Sequence, residues 1–231
     1  MKNSAELKDR AEQAQQRSNI YGFLARVYRK ELTSEMLAQI KDSRFKEVLS
    51  DLGVQLGDEF FSVPDNELIE NLAIEYTRLF LGPGRHISPH ESIHYERDDG
   101  DWGKLWGAST VEVKKFVESL GLKYKESDTS LPDHISVELE LMQKVIEKEK
   151  QAWSANGGKD VLHYLKIEKM FMEDHMIKWI PLFCDKVTAE TEVSFYREMA
   201  ELTKSFITLE MEEINRYISD TQDTISQQTN N

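Results

Sequence analysis

The chain of 231 residues has one cysteine, Cys184, five prolines and eleven glycines. A single cysteine excludes an intrachain disulfide and any metal site built from several thiolates. It lies in an apolar helical stretch, so a packed, inert thiol is expected. So little Gly and Pro argues against a turn-rich β protein. No apolar run approaches the roughly 18–20 residues that a membrane span needs. Neither a Gly-x-Gly-x-x-Gly nor a Gly-x4-Gly-Lys-Ser/Thr phosphate loop is present. No Gly-x-Ser-x-Gly surrounds Ser88 or Ser92, which leaves nucleophilic catalysis without a motif. Positive charge is also scarce: 29 Lys and Arg stand against 42 Asp and Glu, a net charge of −13. That disfavours nucleic acid and favours cationic partners, although an acidic surface also serves solubility alone. Met1 to Gln16 is polar and charged, without the apolar core of a secretory signal, so a cytoplasmic protein is expected.

What is present is helical periodicity. Ile20, Phe23, Leu24, Val27 and Tyr28 form one apolar stripe on a first helix that starts near Ala5. Short helices are predicted over Ser34–Lys41 and Arg44–Leu52, with Gly53–Pro64 as loop. Asp65–Leu81 reads as a helix stopped by Gly82-Pro83-Gly84. Residues 85–107 form a long irregular segment, and a loop of that length in a compact domain is usually functional or disordered. Its aromatics Tyr95, Trp102 and Trp106 argue against disorder. Ser109-x-x-Glu112 has the form of a capping box for a helix ending at Leu120, with Gly121 as its stop. Three long helices are predicted over Asp133–Ala155, Lys159–Lys186 and Glu190–Ser219. In the last of them Phe195, Met199, Leu202, Phe206 and Leu209 mark a buried seam. The expected organisation is all-α: an N-terminal helical unit (1–120), a polar hinge (121–131), a C-terminal helical unit (132–220) and a flexible tail (221–231).

Pro132-Asp133-His134-Ile135, followed by Glu138-Leu139 and Met142, is the most informative stretch. Ile135, Leu139, Met142 and Ile146 fall on one helical face. Asp133 and His134 are placed in the first turn, where free backbone N–H groups and an imidazole could meet a ligand. Alternatively Asp133 only caps this helix, since Ser130-x-x-Asp133 fits a capping box. His86, His90 and His94 are spaced by four, and Glu91-x-x-His94 has a form found in di-iron bundles. Pro89 and the loop-forming flanks speak against a helix there, and the rest of a di-iron ligand set is missing. Tyr76, Leu79 and Phe80 end one helix, and Pro83, Pro89, Tyr95 and Trp102 populate the loop after it. With Glu75, Glu91 and Asp133 these residues suit an acid-edged, aromatic cleft for a peptide that is apolar along its length and basic at one end. For Tyr76, Leu79 and Phe80 an ordinary place in the core competes with that reading. His175 falls on a stripe with Phe171 and Trp179 and is expected buried, with one hydrogen-bond partner.

In order and spacing, these segments resemble the TorD/DmsD/NarJ family of molybdoenzyme-specific chaperones, closest to the TorD branch. The residues that carry the resemblance are Glu75-Tyr76-Thr77-Arg78-Leu79-Phe80 with Gly82-Pro83, then Ser88-Pro89, Ser92 and Tyr95. They continue through Pro132-Asp133-His134-Ile135 with Glu138-Leu139 and Met142, and Phe171-x3-His175-x3-Trp179-Ile180-Pro181-x-Phe183. Tyr21-Gly-Phe-Leu-Ala25 leading to Glu31-Leu32, and Phe195-Tyr196, look like the TorD branch. The resemblance implies an all-α fold of two helical units and no enzymatic activity. It implies binding of the twin-arginine signal peptide of an oxidoreductase precursor, which is held back from export until its molybdenum cofactor is inserted. Carried over by residue, the peptide site it implies comprises Tyr76, Leu79, Phe80, Glu91, Ser92, Tyr95, Pro132, Asp133, His134 and Glu138. Weak GTP binding is implied by the resemblance alone; otherwise no cofactor and no metal are expected. A monomer or a dimer formed by domain exchange would fit. Two other readings are a metal-dependent helical bundle using His90, Glu91, His94 and His175, and an interaction scaffold without a signal-peptide site.

Overall fold

A computed structural model describes residues 4–82, 84–122, 130–155 and 158–229. Among these residues there is no strand, and the fold is all-α. The helices are α1 (Ser4–Arg29), α2 (Ser34–Lys41), α3 (Ser43–Asp51), α4 (Asp58–Ser62), α5 (Asp65–Tyr76), α6 (Glu91–His94), α7 (Ala108–Ser119), α8 (Ile135–Ser154), α9 (Gly158–Phe171), α10 (Ile177–Glu190) and α11 (Ser194–Thr229). Two π-helical turns, Thr77–Leu81 and Met172–Met176, continue α5 and join α9 to α10.

α8 is the central helix. Ile135, Leu139, Met142 and Ile146, the face expected from their spacing, are fully buried, and so are Ser136 and Glu138 around it. α1 packs along α8, while α9, α10 and α11 close the bundle. Residues of the expected first unit therefore share one core with those of the second. The expected hinge falls mostly on residues 123–129, which lie outside the described residues.

One polar hub ties four helices together. Arg17 of α1 donates to Glu149 of α8 at 2.8 Å, to Glu168 of α9 at 2.5 Å and to Glu210 of α11 at 2.7 Å. All four side chains are buried. One guanidinium cannot neutralise three carboxylates, so burial pushes Glu168 and Glu210 above the usual carboxylate range against the pull of Arg17. Cys184 is packed in α10, and burial pushes its thiol up to about 12, which fits an inert side chain.

Several local expectations are corrected. The Gly53–Pro64 loop contains the short helix α4. α7 begins at Ala108, whose N–H is taken by Asp101 Oδ2 at 2.8 Å, and Glu112 pairs with Arg97 instead of closing a capping box. Its end is as expected: Gly121 has φ +69°, and the N–H groups of Gly121 and Leu122 reach back to Glu118 and Val117 carbonyls. α11 starts at Ser194 and runs to Thr229, into the segment expected to be a tail. Leu209 drops out of its seam and is exposed, and Glu210 is buried there instead.

Candidate functional site

The segment before α6 and the segment before α8 run side by side through one antiparallel bridge between His90 and His134. Glu91 N–H donates to Asp133 O at 3.0 Å, and Ile135 N–H donates to Pro89 O at 2.9 Å. Asp133 then does something its own sequence neighbourhood does not show. Its Oδ2 accepts the Ser92 N–H at 3.0 Å, so it caps α6, 41 residues earlier in the chain. The cap of α8 is His134, whose Nδ1 accepts the Ser136 N–H at 3.1 Å. The expectation that Asp133 stands in the first turn of its own helix, or caps it, is corrected accordingly.

Glu91, Asp133 and Glu138 are brought together in the interior, and all three are fully buried. Glu91 Oε2 lies 2.9 Å from His175 Nδ1, and Glu138 Oε2 accepts the Trp179 indole N–H at 3.0 Å. Burial, the Glu91 charge and the Asp133 charge push the Glu138 carboxyl well above the usual range, against the Trp179 hydrogen bond. The shift favours the protonated form of Glu138. One oxygen on each of Glu91, Asp133 and Glu138, and the Ser92 hydroxyl, find no protein partner among the described residues. Buried oxygens without donors are rare and call for an explanation from water, an ion or function.

The histidines around this cluster are held in defined states. His94 Nε2–H donates to Ser88 O at 2.6 Å, so its Nδ1 accepts from Lys186 Nζ at 3.0 Å. Its ring stacks on Trp179. Burial and the adjacent Lys186 charge lower His94 to about 4, outweighing the bond to Ser88. Burial also lowers His90, despite the nearby Asp133, and its ring meets His134 edge to face at 5.0 Å. Glu91 and His175 pair with each other, while His90 meets the Ser88 hydroxyl and His94 the Ser88 carbonyl and Lys186. Among the described residues no group of three or more His, Cys, Asp or Glu is arranged to hold a metal ion, so the metal-centred alternative lacks its ligand set.

The other expected site residues lie elsewhere. Leu79 and Phe80 are 2% and 3% exposed, and Tyr76 is as deeply placed. Phe80 packs against Tyr28, Tyr76, Phe183 and Tyr196, and Tyr76 donates to the Tyr28 carbonyl at 2.9 Å. These three side chains belong to the core and do not line an open cleft. Phe183 links them to the acid cluster, because its ring also meets His94 and Trp179. Pro132 is buried beside Asp133. Tyr95 alone of the expected set opens on solvent, at a cleft of about 540 Å³ whose floor includes His175. The edge of that cleft carries Arg97, Lys115 and Lys178 against Glu112 and Asp174, and none of the expected acids Glu75, Glu91 and Asp133 lines it. Lys178 sits over the Tyr95 ring at 4.9 Å. His175 and Trp179, the donors to the acids, were legible only as a buried stripe; nothing in their spacing names Glu91 and Glu138 as partners.

The sequence pattern of the family described as "Nitrate reductase delta subunit" matches residues 42–185, which take in every site residue expected from the sequence. The chain belongs to the nitrate reductase delta subunit family. Within that family setting, the chain is 25% identical over 207 residues to "Chaperone protein TorD" of Photobacterium profundum, covering 85% of this chain and 93% of that protein. The protein of the same name from Vibrio parahaemolyticus is 23% identical over the same shares. A "Perchlorate reductase assembly chaperone protein" of Dechloromonas aromatica is 27% identical over 104 residues, 45% of this chain and 46% of that one. Among the described residues no helix is long and apolar enough to cross a membrane.

Proposed function

We propose that this protein is a cytoplasmic chaperone of molybdoenzyme maturation and not an enzyme. It binds the twin-arginine signal peptide of an oxidoreductase precursor and holds the precursor for cofactor insertion before export. The observation that carries the reading is similarity to TorD chaperones across nearly their whole length. The chemistry agrees with it. A chain of net charge −13 attracts a basic leader, and Arg–carboxylate pairing gives orientation where apolar contacts give affinity.

The test is a pull-down of the tagged protein from its own cells grown without oxygen, with bound proteins identified by mass. A molybdoenzyme precursor that still carries its leader is the expected catch. Absence of any such precursor, in cells that express one, overturns the reading. One observation favours a second reading, a scaffold that binds the mature part of the precursor. Leu79, Phe80 and the three acids are buried and cannot meet a peptide in this conformation. Titration with the leader peptide alone separates the two, since the scaffold would not bind it. Light scattering at several concentrations decides between a monomer and a dimer made by exchange of the helical units across residues 121–131.

A further inference from the structure

The apolar surface that a leader needs is absent from Leu79 and Phe80, but the structure offers one nearby. Between α6 and α7, Trp102, Leu105 and Trp106 are all exposed, as is Val111 one turn into α7. Trp106 is the extreme case, 69% exposed and with φ +62°. The left-handed region is costly for a bulky residue, and such outliers cluster at ligand clamps. Glycine at 106 would remove that cost, so the side chain present there is explained by what it offers to solvent and not by local folding.

The loop is pinned. Gly100 and Gly103 supply the other left-handed turns. Gly103 N–H donates to Ser92 O at 2.8 Å, and Ala108 N–H to Asp101 Oδ2 at 2.8 Å. Arg97 clamps the base of the loop by bridging Asp99 and Glu112. A fixed aromatic surface loses little conformational entropy when it binds. Through Ser92 the loop is also joined to the buried acids, because the residue whose carbonyl holds Gly103 has its N–H held by Asp133.

Charge then selects the occupant. Four acids, Glu96, Asp98, Asp99 and Asp101, stand in the loop against Arg97 and Lys104. Arg97 is taken by Asp99 and Glu112, and Lys104 by Asp101. Glu96 and Asp98 are exposed and have no ion pair among the described residues. An apolar surface flanked by unpaired carboxylates fits an apolar segment preceded by basic residues.

We infer that Trp102, Leu105 and Trp106 dock the apolar stretch of the precursor's leader, with Glu96 and Asp98 receiving its arginines, and that Asp133 and Ser92 are positioning residues for this loop. The inference rests on the leader-binding reading above. The test uses the full-length protein and a synthetic peptide with the leader sequence of the precursor that co-purifies. Calorimetric titration of Trp106→Gly should show affinity reduced about tenfold or more, the mark of a binding hot spot. The melting temperature should stay the same or rise, since glycine relieves the backbone. Trp102→Ala should weaken binding too, and Glu96→Gln with Asp98→Asn should remove much of its salt dependence. Unchanged affinity in Trp106→Gly, with the wild type binding, overturns the inference and leaves the leader reading standing. No binding by the wild type overturns both. A wild-type dimer that Trp106→Gly converts to a monomer, with peptide affinity kept, makes the surface a contact between copies of this chain and likewise overturns the inference.

Discussion

Asp133 Oδ2 holds the Ser92 backbone N–H at 3.0 Å across 41 residues of sequence. The bond is the hinge-pin of the site, since the Ser92 carbonyl in turn holds Gly103 at the base of the tryptophan loop. Asp133→Ala would leave the buried Ser92 N–H without an acceptor, at a cost of about 1–3 kcal/mol. Asp133→Asn keeps an acceptor oxygen in the same place. We predict that the alanine variant exchanges its Ser92 and Gly103 amide hydrogens faster and binds the leader more weakly. The asparagine variant should stay close to wild type in both. Hydrogen exchange combined with peptide titration reads this directly, and an asparagine variant as weak as alanine would mean that the charge of Asp133 acts and not its hydrogen bond.

Phe80 makes a different prediction, because its ring stacks 5.9 Å from Phe183 and meets Tyr76 edge to face at 5.0 Å. Truncating a buried phenylalanine costs about 3–5 kcal/mol, and Leu79→Ala about 2–5 kcal/mol. For a chain of this size each kcal/mol lowers the melting temperature by about 2–4 °C. Phe80→Ala should therefore melt roughly 10 °C lower, in proportion to its cavity, while leader affinity measured well below the melt changes little. A melting temperature within two or so degrees of wild type would return Phe80 to the surface.

The helices were legible because burial repeats with the helical period: Ile135, Leu139, Met142 and Ile146 point one way in the sequence and one way in the fold. α4 was not, because Asp58–Ser62 spans little more than one turn and has no period to read. The role of Asp133 was hidden for another reason. A local capping pattern, Ser130-x-x-Asp133, offered a sufficient explanation, whereas the real acceptor relationship runs to Ser92 through tertiary packing. The acids were expected at a rim because carboxylates are seldom buried. Burial of Glu91 and Glu138 became possible only through His175 and Trp179, donors on the far side of the chain whose reach no spacing encodes. In the sequence Trp106 is one aromatic in a loop; its left-handed backbone is a property of the turn and not of the residue.

Glu138 carries a sign that a pH series can check. Its carboxyl sits well above the ordinary value of 4.5, so the native state binds a proton that the unfolded chain has released. Its contribution is complete below about 4.5 and is lost as pH rises through the raised native value. Glu168 and Glu210 act in the same direction. His94 opposes them at the acid end. Lowered from 6.5 to about 4, it contributes above 6.5 and loses that contribution as pH falls through about 4. Above pH 6.5 the His94 contribution is complete, so the three carboxyls should make stability decline as pH rises toward their raised native values. Glu138→Gln supplies a neutral isostere that can still accept from Trp179. It should fold, and its decline with pH should be shallower than wild type. Parallel slopes in thermal melts from pH 6.5 to 8.5 would show that Glu138 is ionised in the native protein.

Arg17 is the harder case, because three carboxylates depend on its one charge. Removing one partner of a buried ion pair costs about 3–5 kcal/mol, since the other charge is left without compensation. In Arg17→Leu the carboxyls of Glu149, Glu168 and Glu210 would face one another with no cation between them. The native values of Glu168 and Glu210 would move further up, while the unfolded chain keeps ordinary carboxyls. The variant must then take up protons to fold, and that demand is met more cheaply in acid. The loss relative to wild type should be largest near pH 8 and shrink steadily toward pH 5. Urea unfolding at the two pH values measures the difference. A loss that is the same at both would show that Arg17 contributes its packed side chain, stacked 5.6 Å from the Tyr217 ring, and that its charge does not set the protonation of the cluster.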